Sequence, residues 1–408
     1  MNEAARQNPI DLAVRCVESD AELRQATGLM RQAEWGGAVC CWPETHGVDY
    51  SPQERARVRV AVLDGEVAGA LRLHSEVMRL GEARLRVGQL SLLSVEERFR
   101  GKGVQRALIG EMLVMLKAQG YHMALLCAAP GVHYPLGFAN AYPEHNTLID
   151  TGEAVRVEGD WRARPAKPGD IPAMSRMHNA NDSLVDGALL RPEAAWPERW
   201  PHGAQCTAVT DPDGALMAYF VAEPESFPFR VLEAGIVSAA AAPALLAICG
   251  DTANDAGASS ISFHLPPAHP LAAYLRHFSC TVQTHYSADG GPLLALCDVG
   301  ETLESLVPEW ESLIGDTIAV TWRNEVTLVI DGHAYRIRNT RGALDIAQAS
   351  GRNKVSLSRQ DLVRLVMGLE RSDDLLSRRK GLADTEARTL LRAIFPQRHP
   401  HLWQLDRL

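Results

Sequence analysis

Over residues 85–95 the chain alternates apolar and polar positions and then runs apolar, as a mostly buried strand does. It turns through Arg98-Phe99-Arg100-Gly101-Lys102-Gly103, and over 104–119 the apolar residues return at helical spacing. Val104, Leu108, Met112, Met115 and Leu116 form one face of that helix. Gly120 stands where a left-handed cap belongs, and 121–129 reads as a second apolar strand ended by Pro130-Gly131. The predicted unit is strand, glycine-rich loop, helix, strand, short helix. Upstream, the pattern predicts a strand over 12–17, a helix over 21–33 and a loop over 35–51. A hairpin follows, with arms 58–63 and 67–73 joined by Asp64-Gly65.

That hairpin recurs. AVLDGEVAGALRL at 61–73 resembles AVTDPDGALMAYFV at 208–221, and elements in the same order surround the second copy. Residues 162–182 give a strand and then a helix, with Asp170 at the capping position. Strand 229–237, helix 240–256, strand 259–265 and helix 271–278 follow, so 155–300 reads as a second copy of one fold. Its loop, SAAAAPA at 238–244, has no glycine, arginine or lysine. From Glu301 the pattern changes: a helix over 303–314, then strands over 318–322, 326–330 and 334–337, the last two joined by Asp331-Gly332. A helix over 356–369 starts at Ser358 and Asp361, another apolar group lies at 375–377, and the chain closes with HPHLWQLDRL.

Composition narrows the class. At 408 residues the chain suits two or three domains, and 46% apolar with 22% charged residues is ordinary for a globular protein. No apolar run reaches the roughly 20 residues of a membrane span, and no leader pattern opens the chain. None of the eight cysteines forms a C-x-x-C pair, so free thiols in a reducing, cytoplasmic setting are expected. The histidines show no metal-ligand spacing, and no metal site is expected. Counting Lys and Arg against Asp and Glu, residues 1–150 carry −2, 151–300 carry −8 and 301–408 carry +1. No part has the basic excess of a nucleic-acid partner. The acidic middle either solubilises the chain or draws in a cationic substrate.

The glycine-rich loop has the chemistry of a phosphate cradle. Glycines let backbone amides converge, the following helix adds its positive end, and Arg98, Arg100 and Lys102 add charge. No Gly-Lys-Ser/Thr follows, so it is not a Walker loop, and G-x-G-x-x-G is absent. Here the chain resembles the GNAT acetyltransferase superfamily, whose R/Q-x-x-G-x-G/A loop binds the pyrophosphate of coenzyme A. Arg98, Gly101 and Gly103 match the loop, and Val104 opens its helix. Leu93 and Val95 match the strand end whose backbone meets the thioester and pantetheine. The closing Y-x-x-x-G-F turn is matched by 132–138, with His133 in the tyrosine position and Tyr134 displaced by one.

Two such copies plus a sterol-carrier-like tail resemble the Eis (enhanced intracellular survival) family. The resemblance implies a mixed α/β fold: a GNAT domain with an acetyl-CoA site over 1–150, a degenerate copy over 151–300, and a sterol-carrier-protein-like domain over 301–408. It implies an acetyl-CoA-dependent N-acetyltransferase acting on a cationic amine (aminoglycoside, polyamine or lysine side chain) and assembled as a homo-hexamer. The alternatives are a biosynthetic acyltransferase with another donor or acceptor, and a non-catalytic ligand- or lipid-binding relative.

Acyl transfer to an amine needs a base, a donor to the thioester oxygen and a proton for the leaving thiolate. Relatives often carry a glutamate base on the strand before the loop; here that strand offers Gln89, which takes no proton. The resemblance therefore assigns the base to the terminal carboxylate of Leu408, the oxygen donor to the Leu93 N–H, and the acid to His133 or Tyr134. On this reading, removal of the last three residues causes a large fall in turnover and leaves the melting temperature nearly unchanged.

Overall fold

The computed structural model describes residues 12–31, 48–128, 136–200, 204–288, 290–378 and 384–408. The first sheet takes β1 (Leu12–Cys16), β2 (Val58–Leu63), β3 (Glu66–Leu80), β4 (Ala83–Val95), β5 (Met123–Ala128) and β6 (Ala139–Asn140). Helices α1 (Asp20–Met30), α2 (Pro52–Arg57) and α3 (Val104–Ala118) accompany them. Asp64 and Gly65 both take left-handed backbone (φ 52° and 83°), as the predicted two-residue turn between β2 and β3 requires. Strand β4 runs antiparallel to β3 and parallel to β5, with α3 as the crossover.

The second sheet takes β7 (Glu144–Asp150), β8 (Arg162–Pro165), β9 (Gln205–Thr210), β10 (Leu216–Glu223), β11 (Phe229–Ile236), β12 (Ser260–Phe263) and β13 (Cys280–His285). Here β9, β10 and β11 pair antiparallel, and β11 pairs parallel to β12 across the helix Ala242–Asp255. This repeats the order of β2 to β5, as the recurring hairpin predicts. The two copies also exchange strands. Strand β14 (Gly291–Leu296), which follows the second copy, inserts beside β5 in the first sheet, while β7 leaves the first copy to pair with β12.

A third sheet, ordered β17-β16-β15-β18, holds β15 (Arg323–Ile330), β16 (His333–Thr340), β17 (Ala343–Ala347) and β18 (Lys354–Leu357). Its core, around Trp310, Leu390 and Ile394, is continuous with Met78, Leu85, Val87 and Met123 on one face of the first sheet. The opposite face of that sheet is covered by α3 through Val104, Leu108, Met112 and Leu116.

Several local expectations change. Residues 318–322 form a 3₁₀ turn (Ile318–Thr321) rather than a strand, because the Thr317 hydroxyl accepts from the Ala319 amide and closes a turn. The helix expected over 303–314 is two, Val299–Ser305 and Val307–Gly315; Pro308 lacks the N–H that a continuous helix needs. The helix expected over 356–369 is Arg359–Val366, closed at its start by the predicted Ser358/Asp361 capping box. Asp170 stands at the N-cap of the helix Ile171–Asn181 as expected, but its carboxylate accepts from the Lys167 amide and the Arg164 guanidinium rather than from a first-turn amide.

Candidate functional site

The loop between β4 and α3 is built as a cradle. Gly101 and Gly103 sit at φ 78° and 81°, and a Cβ on either would meet no heavy atom within 4 Å. Backbone conformation fixes the glycines, and the space before them is open. Gly103 is the N-cap of α3, and no side chain accepts from the first-turn amides. Arg98 is engaged on the rim: it lies 2.6 Å from Glu96 and 2.7 Å from Glu66, and its guanidinium stacks 4.6 Å from the Phe99 ring. Arg100 and Lys102 are exposed on the same turn.

Strands β4 and β5 pair from Val87↔Met123 to Leu90↔Leu126, and no further. Just past that point Leu92 takes φ 53° and the register with β3 slips between Ala70 and Arg72. This is a bulge, in which Leu92 and Leu93 oppose the single residue Leu71 before pairing with β3 resumes at Ser94 and Val95. Leu93 and Val95 therefore stand at the mouth of a gap between diverging strands. His133 and Tyr134 lie outside the described residues. Beyond them, Gly137 at φ 88° and buried Phe138 end the closing turn.

The sheet face away from α3 carries a buried polar row: Arg72, His74 and Glu76 on β3, Gln89 and Ser91 on β4. Register places His74 opposite Gln89. The C-terminal tail docks here. The Gln89 side-chain amide donates to the backbone carbonyl of Asp406 at 2.8 Å. Leu408, only 7% exposed, follows two residues later. Two extended residues span roughly 7 Å, so the terminal carboxylate stays within that distance of the carbonyl held by Gln89.

An alternating run of buried charge holds the tail. Glu76 accepts from Arg199 at 2.6 Å, and Arg199 donates to Asp406 at 2.8 Å. Arg191 donates to Asp406 at 3.0 Å and to both oxygens of Glu233 at 2.7 and 2.9 Å, with the Tyr219 hydroxyl on the same carboxylate at 2.8 Å. Burial alone would raise the Glu233 carboxyl, but Arg191 and His178 outweigh it and hold it below its ordinary value. Glu76 moves the other way, since burial dominates over Arg199. Trp403 donates its indole N–H to Asp182 at 2.8 Å, and Arg407 pairs with Glu144 at 2.6 Å. The tail ties β3 of the first copy to β11 of the second. Removal of one member of such a pair costs about 3–5 kcal/mol. The expectation that the last three residues are dispensable for stability therefore fails at Asp406.

Beside the tail a cavity of 520 Å³ opens between β3 and the segment 179–199, lined by Arg57, His74, Glu76, Asn179, Glu198 and Arg199 among others. Glu198 is 2.7 Å from Arg57, 3.2 Å from Arg72 and 3.3 Å from His74 Nδ1. Arg72 also makes two 2.8 Å bonds to Glu54. Burial pushes His74 down to about 4, so its imidazole is neutral near pH 7.

Burial pushes Cys127, on the β5 edge of the gap, and Cys206 and Cys297 up to about 12. The six described cysteines are free. Among the described residues no His/Cys/Asp/Glu group is placed to hold a metal, and no helix is long and apolar enough to cross a membrane.

The buried histidines predict a pH dependence of stability. Burial pushes His145 and His264 down to about 4, His269 to about 3, and His401, 4.6 Å from the Trp403 ring, well below its ordinary value. Between roughly pH 6.5 and 4 the unfolded chain binds more protons than the folded one, so stability rises with pH there. It is complete above 6.5 and is lost as pH falls toward 4. Asp182, raised to about 6 by burial, acts in the opposite sense, as do Glu76 and Asp186, also raised by burial. The melting temperature should fall across that window, and His401→Phe should flatten the fall. An unchanged slope would remove His401 from the balance.

Glu76, Arg191, Arg199 and Asp406 have no signature in the sequence as site residues. Only the unusual glutamine on β4 pointed toward the tail.

Residues 43–141 match the family described as an acetyltransferase (GNAT) domain. Among solved structures, GCN5-related N-acetyltransferases from Anabaena variabilis ATCC 29413 and Kribbella flavida are similar, at TM-score 0.70 and 15% and 17% identity. The first match covers 96% of this chain and 99% of that one, the second 98% and 99%. Eis1 from Mycobacterium abscessus matches at TM-score 0.65 and 16% identity, covering 96% of this chain and 99% of that one. At such identities the likeness is one of fold, and it extends over the full length. No curated protein sequence matches. The GNAT match lies within a mixed α/β fold, and it supports an acyltransferase.

Proposed function

We propose that this acyltransferase moves an acetyl group from acetyl-CoA to an amino group bound in the cavity between β3 and the segment 179–199, with the carboxylate of Leu408 as base. The observation that carries the reading is the bond from Gln89 to the Asp406 carbonyl. The side chain that cannot be a base fixes the segment that ends in one. The base takes a proton from the ammonium, directly or through one water. The free amine adds to the thioester carbon, and the Leu93 N–H beside the bulge donates to the carbonyl oxygen as it gains charge. The C–N bond forms, the nitrogen sheds its remaining extra proton to solvent as the C–S bond breaks, and the departing thiolate takes a proton from His133 or Tyr134. The amides of Gly101 to Val104, with Arg100 and Lys102, would hold the pyrophosphate, and Arg98 would shape the rim.

The acceptor in this reading is a small cationic amine or a lysine side chain. Family resemblance adds a cytoplasmic homo-hexamer, a second copy that binds no coenzyme A, and a sterol-carrier-like third part that packs behind the first sheet. Release of free thiol from acetyl-CoA, measured over amino acids, monoamines, polyamines and aminoglycosides, tests the reading. Amine-dependent release supports it. Coenzyme binding without release on any amine favours the non-catalytic relative, and release only with another acyl donor favours the biosynthetic one.

The acid is settled by two variants. If His133 has the role, His133→Phe should lower kcat by about 10²–10⁴-fold with donor affinity unchanged. A silent His133→Phe beside a crippled Tyr134→Phe would give the role to the tyrosine.

A further inference from the structure

The cavity beside the tail has two acidic residues among its lining, and both are already matched by arginine. Glu76 is bound by Arg199, and Glu198 lies within 3.2 Å of both Arg57 and Arg72. Arg57 and Arg199 themselves line the cavity, so two fixed positive charges face any ligand there beside two negative ones. His74 between them is neutral near pH 7. The acidity of residues 151–300 is therefore not expressed as a free negative wall at this site. On the reading above, the further charge brought to this face is the one carboxylate of Leu408.

We infer that this cavity selects an acceptor with a single ammonium group, the rest of which is neutral or carries an anion, and discriminates against polycations. The inference rests on the proposed acyl transfer and narrows its substrate class. One ammonium ion is matched by one terminal carboxylate. A second would have to displace Arg57 or Arg199 from its partner or lie beside it. Like charges at such separations are costly where water is partly excluded. A carboxylate elsewhere on the acceptor, as in an amino acid, would instead meet Arg57, whose side chain is 45% exposed at the cavity wall.

Three amines of similar reach test this: hexylamine, 1,6-diaminohexane and spermidine, with kcat/KM measured for each and binding measured by calorimetry. The wild-type protein should use spermidine at least fivefold less well than hexylamine. Arg57→Glu places a second carboxylate beside Glu198 without touching the tail or the loop, and should raise the spermidine-to-hexylamine ratio about tenfold. Arg57→Met should fall between. A wild-type preference that grows with charge, or a ratio unmoved by Arg57→Glu, overturns the inference and leaves acyl transfer standing. If no amine is turned over, the proposed function fails instead, and the calorimetric order of the three amines still decides the selectivity of the cavity.

Discussion

Extension of the chain by two glycines past Leu408 should lower kcat by about 10²–10³-fold while the melting temperature and coenzyme affinity stay within error. The extension moves the terminal carboxylate roughly 7 Å from where Gln89 and Asp406 hold the tail, and puts a neutral peptide in its place. It leaves the buried contacts of Trp403, Leu405 and Asp406 untouched. Deletion of Leu408 alone should do similar harm. Deletion of the last three residues is a poorer test, because Arg191 and Arg199 would lose Asp406 in a fully buried site and the fold itself would weaken. Full activity in the extended protein would remove the carboxylate from the mechanism.

Gly101→Glu should weaken coenzyme A binding a hundredfold or more by calorimetry, with the fold retained. At φ 78° any side chain costs about 1–2 kcal/mol locally, and the added carboxylate stands where phosphate oxygens would lie. Gly101→Ala separates the two effects. Its methyl group meets no atom within 4 Å, so only the backbone term remains and the loss should be nearer tenfold. Unchanged affinity in Gly101→Glu would move the pyrophosphate elsewhere.

What was legible in the sequence was local. Asp64-Gly65, the two glycines at 101 and 103, and the apolar face of α3 each carry their geometry in residue type and spacing, and each was read correctly. The duplication was legible because the second hairpin repeats the first. The strand exchange was not, since β7 and β14 are short runs whose partners lie in the other copy. Residues 318–322 have a strand's composition, but a single threonine-to-amide bond closes them into a turn. The anchoring of the tail was the least legible feature. Its ion pairs join residues 42 to 263 positions apart, and an arginine bears no mark of the carboxylate it will meet. In the sequence Gln89 marks only the place of a missing base. Its positive role needed the tail beside it.

The most direct measurement is a crystal structure of the protein with coenzyme A and a monoamine bound. The account predicts pyrophosphate oxygens on the amides of Gly101 to Val104, the pantetheine arm between β4 and β5 past Leu90 and Leu126, and the thiol beside the Leu93 N–H. It also predicts the amine in the cavity lined by His74 and Glu76, within one water of the Leu408 carboxylate. Coenzyme A seated on the second copy, or an amine separated from Leu408 by the body of the protein, would contradict it.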